Sequence, residues 1–86
     1  MSKYFNLKET LAFRHRSRSS HFRDIKEGLC PRGINVGPRS TVWLKSELVH
    51  LRCAIIAGQT WAEIRQLVSE MHAKRISQFV EFEEEK

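Results

Sequence analysis

The sequence predicts a mainly α-helical domain with a small β-hairpin, a winged helix-turn-helix followed by one additional C-terminal helix. Three observations lead there. Apolar residues recur at helical spacing in four runs, each opened by a capping residue or closed by a glycine. One stretch, residues 33–43, alternates instead about Gly37-Pro38-Arg39, as a hairpin does. Positive charge gathers at the front: residues 1–52 hold eleven Lys and Arg against four Asp and Glu, and residues 53–86 hold four against six.

Residues 1–6 are a lead-in in which Tyr4 and Phe5 form a short extended piece against the core. Helix 1 covers about residues 7–13, with Leu7, Leu11 and Ala12 on its inner stripe. Asn6 is its N-cap and Glu9 the capping-box partner. Arg14-His15-Arg16 is the turn of the helix-turn-helix. Ser17 caps helix 2, whose hydroxyl can accept a first-turn amide. Phe22 and Ile25 point inward there, and Arg18, Ser19, Arg23, Asp24, Lys26 and Glu27 point outward. Gly28 suits a left-handed C-cap, with Leu29 as the accompanying apolar contact. Pro31 stops any continuation.

In the hairpin, Ile34 and Val36 face inward and Val42 or Trp43 answers from the second strand. Helix 3 runs from Leu44–Ser46 toward Ala57. It carries Leu48, Leu51 and Ile55 on one stripe, widened by Val49, Cys53 and Ile56, and Gly58 stops it. Thr60 and Glu63 form a second capping box. Helix 4 then places Trp61, Ile64, Leu67, Val68 and Met71 at helical spacing and reaches about Ile76. Phe79, Val80 and Phe82 continue sparsely toward a frayed acidic end at Glu83-Glu84-Glu85. We divide the chain into a winged helix-turn-helix DNA-binding unit, residues 1–57, and a C-terminal helix, residues 58–86, that packs on it or mediates self-association.

A chain of 86 residues hides only about 60–65% of its extended surface, which argues against a large enzyme cavity. Cys30 and Cys53 lack metal-ligand or paired spacing and are expected as free thiols. His15, His21, His50 and His72 show no ligand-pair spacing, so surface and cap roles are expected of them. No nucleophile–base or carboxylate pair stands out, so no catalytic residue, metal or cofactor is assigned. Lys3, Asn6, Lys8 and Glu9 stand where a secretion signal needs an apolar run. No window approaches the roughly 18–20 apolar residues of a membrane span. A soluble, intracellular chain is expected.

The clustered cations favour a polyanion. Recognition helices bring their first residues to base edges and their amides to phosphates. Arg18 can read guanine bidentately, and Ser17, Ser19 and Ser20 can bond phosphates or bases. Arg23 joins them in the major groove, and Arg14 and Arg16 add phosphate grip. At the Gly37-Pro38-Arg39 tip, Arg39 with Ser40 beside it suits a wing clamping the adjacent minor groove.

These residues resemble the AlpA family of phage and genomic-island regulators, within the wider excisionase and MerR-like winged-helix group. Ser17-Arg18-Ser19-Ser20-His21-Phe22-Arg23 is similar to that family's S-R-S-T-I/L-Y-R recognition helix. Ile25-Lys26-Glu27-Gly28 is similar to its I-x-x-G end, and Cys30-Pro31 to its aromatic-Pro step. Val36-Gly37-Pro38-Arg39-Ser40 resembles its L-G-x-R-A/S wing, and Trp43 with Ser46-Glu47-Leu48 its W-x-x-S-E-I/V. The resemblance covers about residues 7–52. His15-Arg16 departs from it, standing where the family usually has Gly-Leu, and Cys30 stands where an aromatic is common. The resemblance implies a sequence-specific protein that binds double-stranded DNA in the bacterial or host cytoplasm. It implies either transcriptional regulation of an integrase or recombination directionality, in which DNA bending lets an integrase excise its element. Integrase is then a candidate partner, and a homodimer or cooperative array on DNA is compatible with it. The rival from another class is a protein-interaction adaptor or inhibitor using the apolar faces of helices 3 and 4.

Overall fold

The computed structural model describes the backbone of residues 3–84 and the side chains of residues 3–75. Seven elements follow one another: β1 (Tyr4–Phe5), α1 (Leu7–Arg14), α2 (Arg18–Lys26), β2 (Ile34–Gly37), β3 (Ser40–Leu44), α3 (Lys45–Ile56) and α4 (Trp61–Glu84). The mainly α, winged helix-like fold is therefore present. The hairpin is the larger part of a three-stranded antiparallel sheet of order β1-β3-β2. Tyr4 and Phe5 pair with Leu44 and Trp43, so the lead-in closes on the wing's second strand.

Local chemistry fixes the helix ends. Asn6 and Glu9 form the expected capping box, Asn6 Oδ1 accepting the Glu9 amide at 2.8 Å and Glu9 Oε1 accepting the Asn6 amide at 2.9 Å. Thr60 and Glu63 do the same for α4. Three helices end alike, the residue after the turn bonding back five positions: Arg16 to Leu11, Leu29 to Asp24 and Gln59 to Ala54. This closure needs a left-handed residue just before that donor. Gly28 (φ 77°) and Gly58 (φ 82°) supply it without strain, and after α1 the residue is His15, at φ 55°. A histidine thus holds the turn position where the family-like pattern has glycine.

The core comprises Cys30, Leu51, Ala54, Ile64, Val68 and Met71, with Ile25, Leu29 and Leu67 packed on it. Trp43 and Leu48 are also buried. Trp43 donates its Nε1 hydrogen to the Pro31 carbonyl at 3.1 Å. α4 is tied to the rest by polar links as well. Arg75 grips Glu47 of α3 with two nitrogens and also donates to the Arg32 carbonyl. His72 Nε2 accepts the Arg32 amide and Arg65 donates to the Glu27 carbonyl.

Several expected orientations are corrected. On α1 the fully buried residue is Thr10, its hydroxyl bonded to the Asn6 carbonyl, while Ala12 is exposed. On α2 Ile25 packs on the core as expected, but the buried residues beside it are His21 and Asp24, and Phe22 is 43% exposed. Val36 is exposed because the β2–β3 register slips between Asn35 and Gly37, a bulge that leaves Val36 without an opposite residue. On α3 the stripe runs Leu48, Leu51, Ala54, leaving Ile55 and Ile56 to solvent. Trp61 is exposed at the start of α4. α4 also extends past Ile76, to Glu84. The side chains of Phe79, Val80 and Phe82 and the frayed end expected through Glu85 lie outside the described residues.

Candidate nucleic-acid interface

α2 builds the candidate surface from its first residue. Ser17 keeps an extended backbone, and its Oγ accepts the Ser20 amide at 3.2 Å while donating to Ser20 Oγ at 3.0 Å. Both hydroxyls are thereby engaged in the cap. The helix turns Arg18, Ser19, Phe22, Arg23 and Lys26 to solvent. Arg18 leans on the Phe22 ring, 5.9 Å from its centroid. The sole carboxylate in α2, Asp24, is 7% exposed and faces the protein interior.

Beneath that face lies a polar network. Arg14, with a side chain 9% exposed, donates to Asp24 Oδ2 at 2.8 Å and to His21 Nδ1 at 2.7 Å. Arg16, 43% exposed, reaches both oxygens of the same carboxylate, at 3.0 and 3.1 Å. Because arginine can only donate, His21 accepts at Nδ1 and carries its hydrogen on Nε2. That atom is buried and has no hydrogen-bond partner among the described residues. The ring stands edge-on to Phe22 and Trp43, at 5.1 and 5.0 Å. Burial above all, then the Arg14 charge, pushes the His21 pKa down to about 4, so the imidazole is neutral near pH 7.

Of the nine residues singled out from the sequence, Arg16 to Arg23 come together at the start of α2. Arg14 sits behind them with its charge matched internally. Arg39 and Ser40 are exposed on a separate element, the hairpin tip, where Pro38 and Arg39 form the two-residue loop between Gly37 and Ser40. The Trp43–His21 contact ties that hairpin to the back of α2. Near the tip Thr41 donates to Asn35 Oδ1 across the strands. On α2 the residue not anticipated on the surface is Phe22. Its signal is indirect: a lone carboxylate three residues after a histidine, with Arg14 and Arg16 upstream to pair with it.

Among the described residues no group of three or more His, Cys, Asp or Glu is placed to hold a metal ion. No helix there is long and apolar enough to cross a membrane. Both thiols are free, Cys30 buried and Cys53 exposed. A family model described as prophage CP4-57 regulatory protein (AlpA) matches residues 4–50, from β1 through the wing into α3 and over more than half the chain. No curated protein and no solved structure matches the chain.

Proposed function

The chain belongs to the AlpA family of prophage regulatory proteins, and from that membership and the geometry of α2 we propose that it binds double-stranded DNA sequence-specifically. The observation that carries this is the charge of one face. With Asp24 turned inward, α2 offers Arg18, Ser19, Phe22, Arg23 and Lys26 free of any carboxylate from the helix itself. In the major groove Arg18 reads guanine bidentately, Ser19 and Arg23 bond bases or phosphates, and the Phe22 ring meets a thymine methyl. The half-exposed Arg16 and the first amides of α2 take phosphate. Ser17 and Ser20 hold that end of the helix, and Arg14 positions it from behind. Arg39 and Ser40 clamp the adjacent minor groove.

On this reading residues 1–57 are the DNA-binding unit and residues 58–86 the helix that braces it, and no catalytic step is involved. The biological role is control of an integrase in the cytoplasm, as its transcriptional regulator or as an excisionase-type directionality factor. The deciding measurement is DNA affinity against salt. A log–log slope of several units is expected, and Arg39→Ala should reduce it by about one. Arg18→Ala should relax sequence preference at one base pair, by about 1–3 kcal/mol. Salt-independent binding would refute the proposal.

A further inference from the structure

An exposed apolar surface lies where the end of α1, the end of α3 and the start of α4 converge. A cleft of about 430 Å³ opens there, its walls including Phe13, Leu29, Ile55, Ile56 and Trp61. Scattered apolar exposure is ordinary, but here Ile56 is 77% exposed, Trp61 59% and Ile55 43%, all within seven residues and on one cleft. Arginine contributes most of the charge around it. Arg14, Arg16 and Arg52 line it against the single carboxylate of Asp24, a net +2. Arg52 sits over the Phe13 ring, its Cζ 3.6 Å from the centroid, and donates to the Phe13 carbonyl.

The chain itself contains a segment of the matching chemistry. Residues 79–85 read Phe-Val-Glu-Phe-Glu-Glu-Glu, two aromatic rings and a valine interleaved with four carboxylates. That segment cannot serve its own cleft. α4 runs unbroken from Trp61, on the cleft wall, to Glu84, and at about 1.5 Å per residue its far end lies roughly 34 Å away. We propose that the cleft is a docking site for residues 79–85 of a second copy of this chain. The rings would enter against Ile56 and Trp61, and the carboxylates would face Arg52. The contact is heterologous, each copy offering one cleft and one segment, and it does not depend on DNA binding.

Mixing two full-length variants tests it by sedimentation. Ile56→Glu spoils the cleft at a residue that is not in the core, and Phe79→Ser with Phe82→Ser spoils the segment. The wild type should associate with rising concentration, and each variant alone should associate roughly tenfold or more weakly. An equimolar mixture should recover association, because one partner keeps an intact cleft and the other an intact segment. Trp61 emission should shift to the blue on association and return on dilution, while Trp43, already buried, stays constant. Circular dichroism of each variant confirms folding. A wild type that stays monomeric at high concentration, association unaffected by the segment variant, or a mixture that fails to recover it would each overturn the proposal.

Discussion

Asp24→Asn is the substitution to which this fold should be most sensitive outside its apolar core. The carboxylate joins two arginines: Arg14 at 2.8 Å and Arg16 at 3.0 and 3.1 Å. The two arms differ in worth. Arg14 and Asp24 are 9% and 10% exposed as side chains, so removing one charge leaves the other desolvated and unpaired, which costs about 3–5 kcal/mol. Arg16 is 43% exposed and can return to water, so its share is below about 1 kcal/mol. For a small domain stable by about 5–15 kcal/mol, the loss is a large fraction. It corresponds to a fall in melting temperature of well over about 10 °C. Urea unfolding followed by far-ultraviolet circular dichroism measures it. Arg16→Ala should change little, and Arg14→Met combined with Asp24→Leu should be far milder than Asp24→Asn alone. A loss under about 1 kcal/mol for Asp24→Asn would refute the argument that this charge is held away from water.

His21 makes stability depend on pH. With its folded pKa near 4 against 6.5 ordinarily, the unfolded chain takes up a proton that the folded chain refuses. Stability should therefore fall as pH drops from about 6.5 to 4, by up to about 3 kcal/mol. Urea midpoints for wild type and His21→Leu should diverge in steepness across that window, and equal slopes would sink the assignment. Phe22 should recognise a methyl group: in DNA selected for tight binding, uracil in place of the contacted thymine should weaken the wild type but not Phe22→Ala. A double-mutant cycle with no coupling would remove Phe22 from the base contacts. His15→Gly should stabilise the protein by up to about 1 kcal/mol, since glycine accepts the left-handed turn freely. His15→Val should destabilise it, and the reverse order in thermal melts would contradict the strain at this position.

The ends of the elements were legible in the sequence because capping is local chemistry. Asn6 with Glu9, Ser17, Gly28, Gly58, and Thr60 with Glu63 each act within six residues. The inner face of α2 was not legible. Apolar spacing counts Phe22 as core and Asp24 as surface, and the facts that reverse them, Arg14 and the Trp43 ring, come from other elements. The same holds for Val36, turned outward by a bulge that only pairing with β3 creates. On α3 the small Ala54 is buried where Ile55 was expected, because α4 lies close against that side. For the candidate site, residue types and their order were readable, but which cations stay free for a ligand depended on where one carboxylate points.

The two-residue strand β1 has a kinetic meaning. Phe5 pairs with Trp43, so the helix-turn-helix and the wing lie on a loop of about forty residues whose ends are clasped by a few backbone bonds. Closing such a loop requires its contents to be nearly in place, which makes the clasp a late event in folding. The amides that β1 and β3 bond across the clasp should then exchange with solvent water by local opening, ahead of those in the apolar core. A pull on the first few residues would be transmitted directly into the wing.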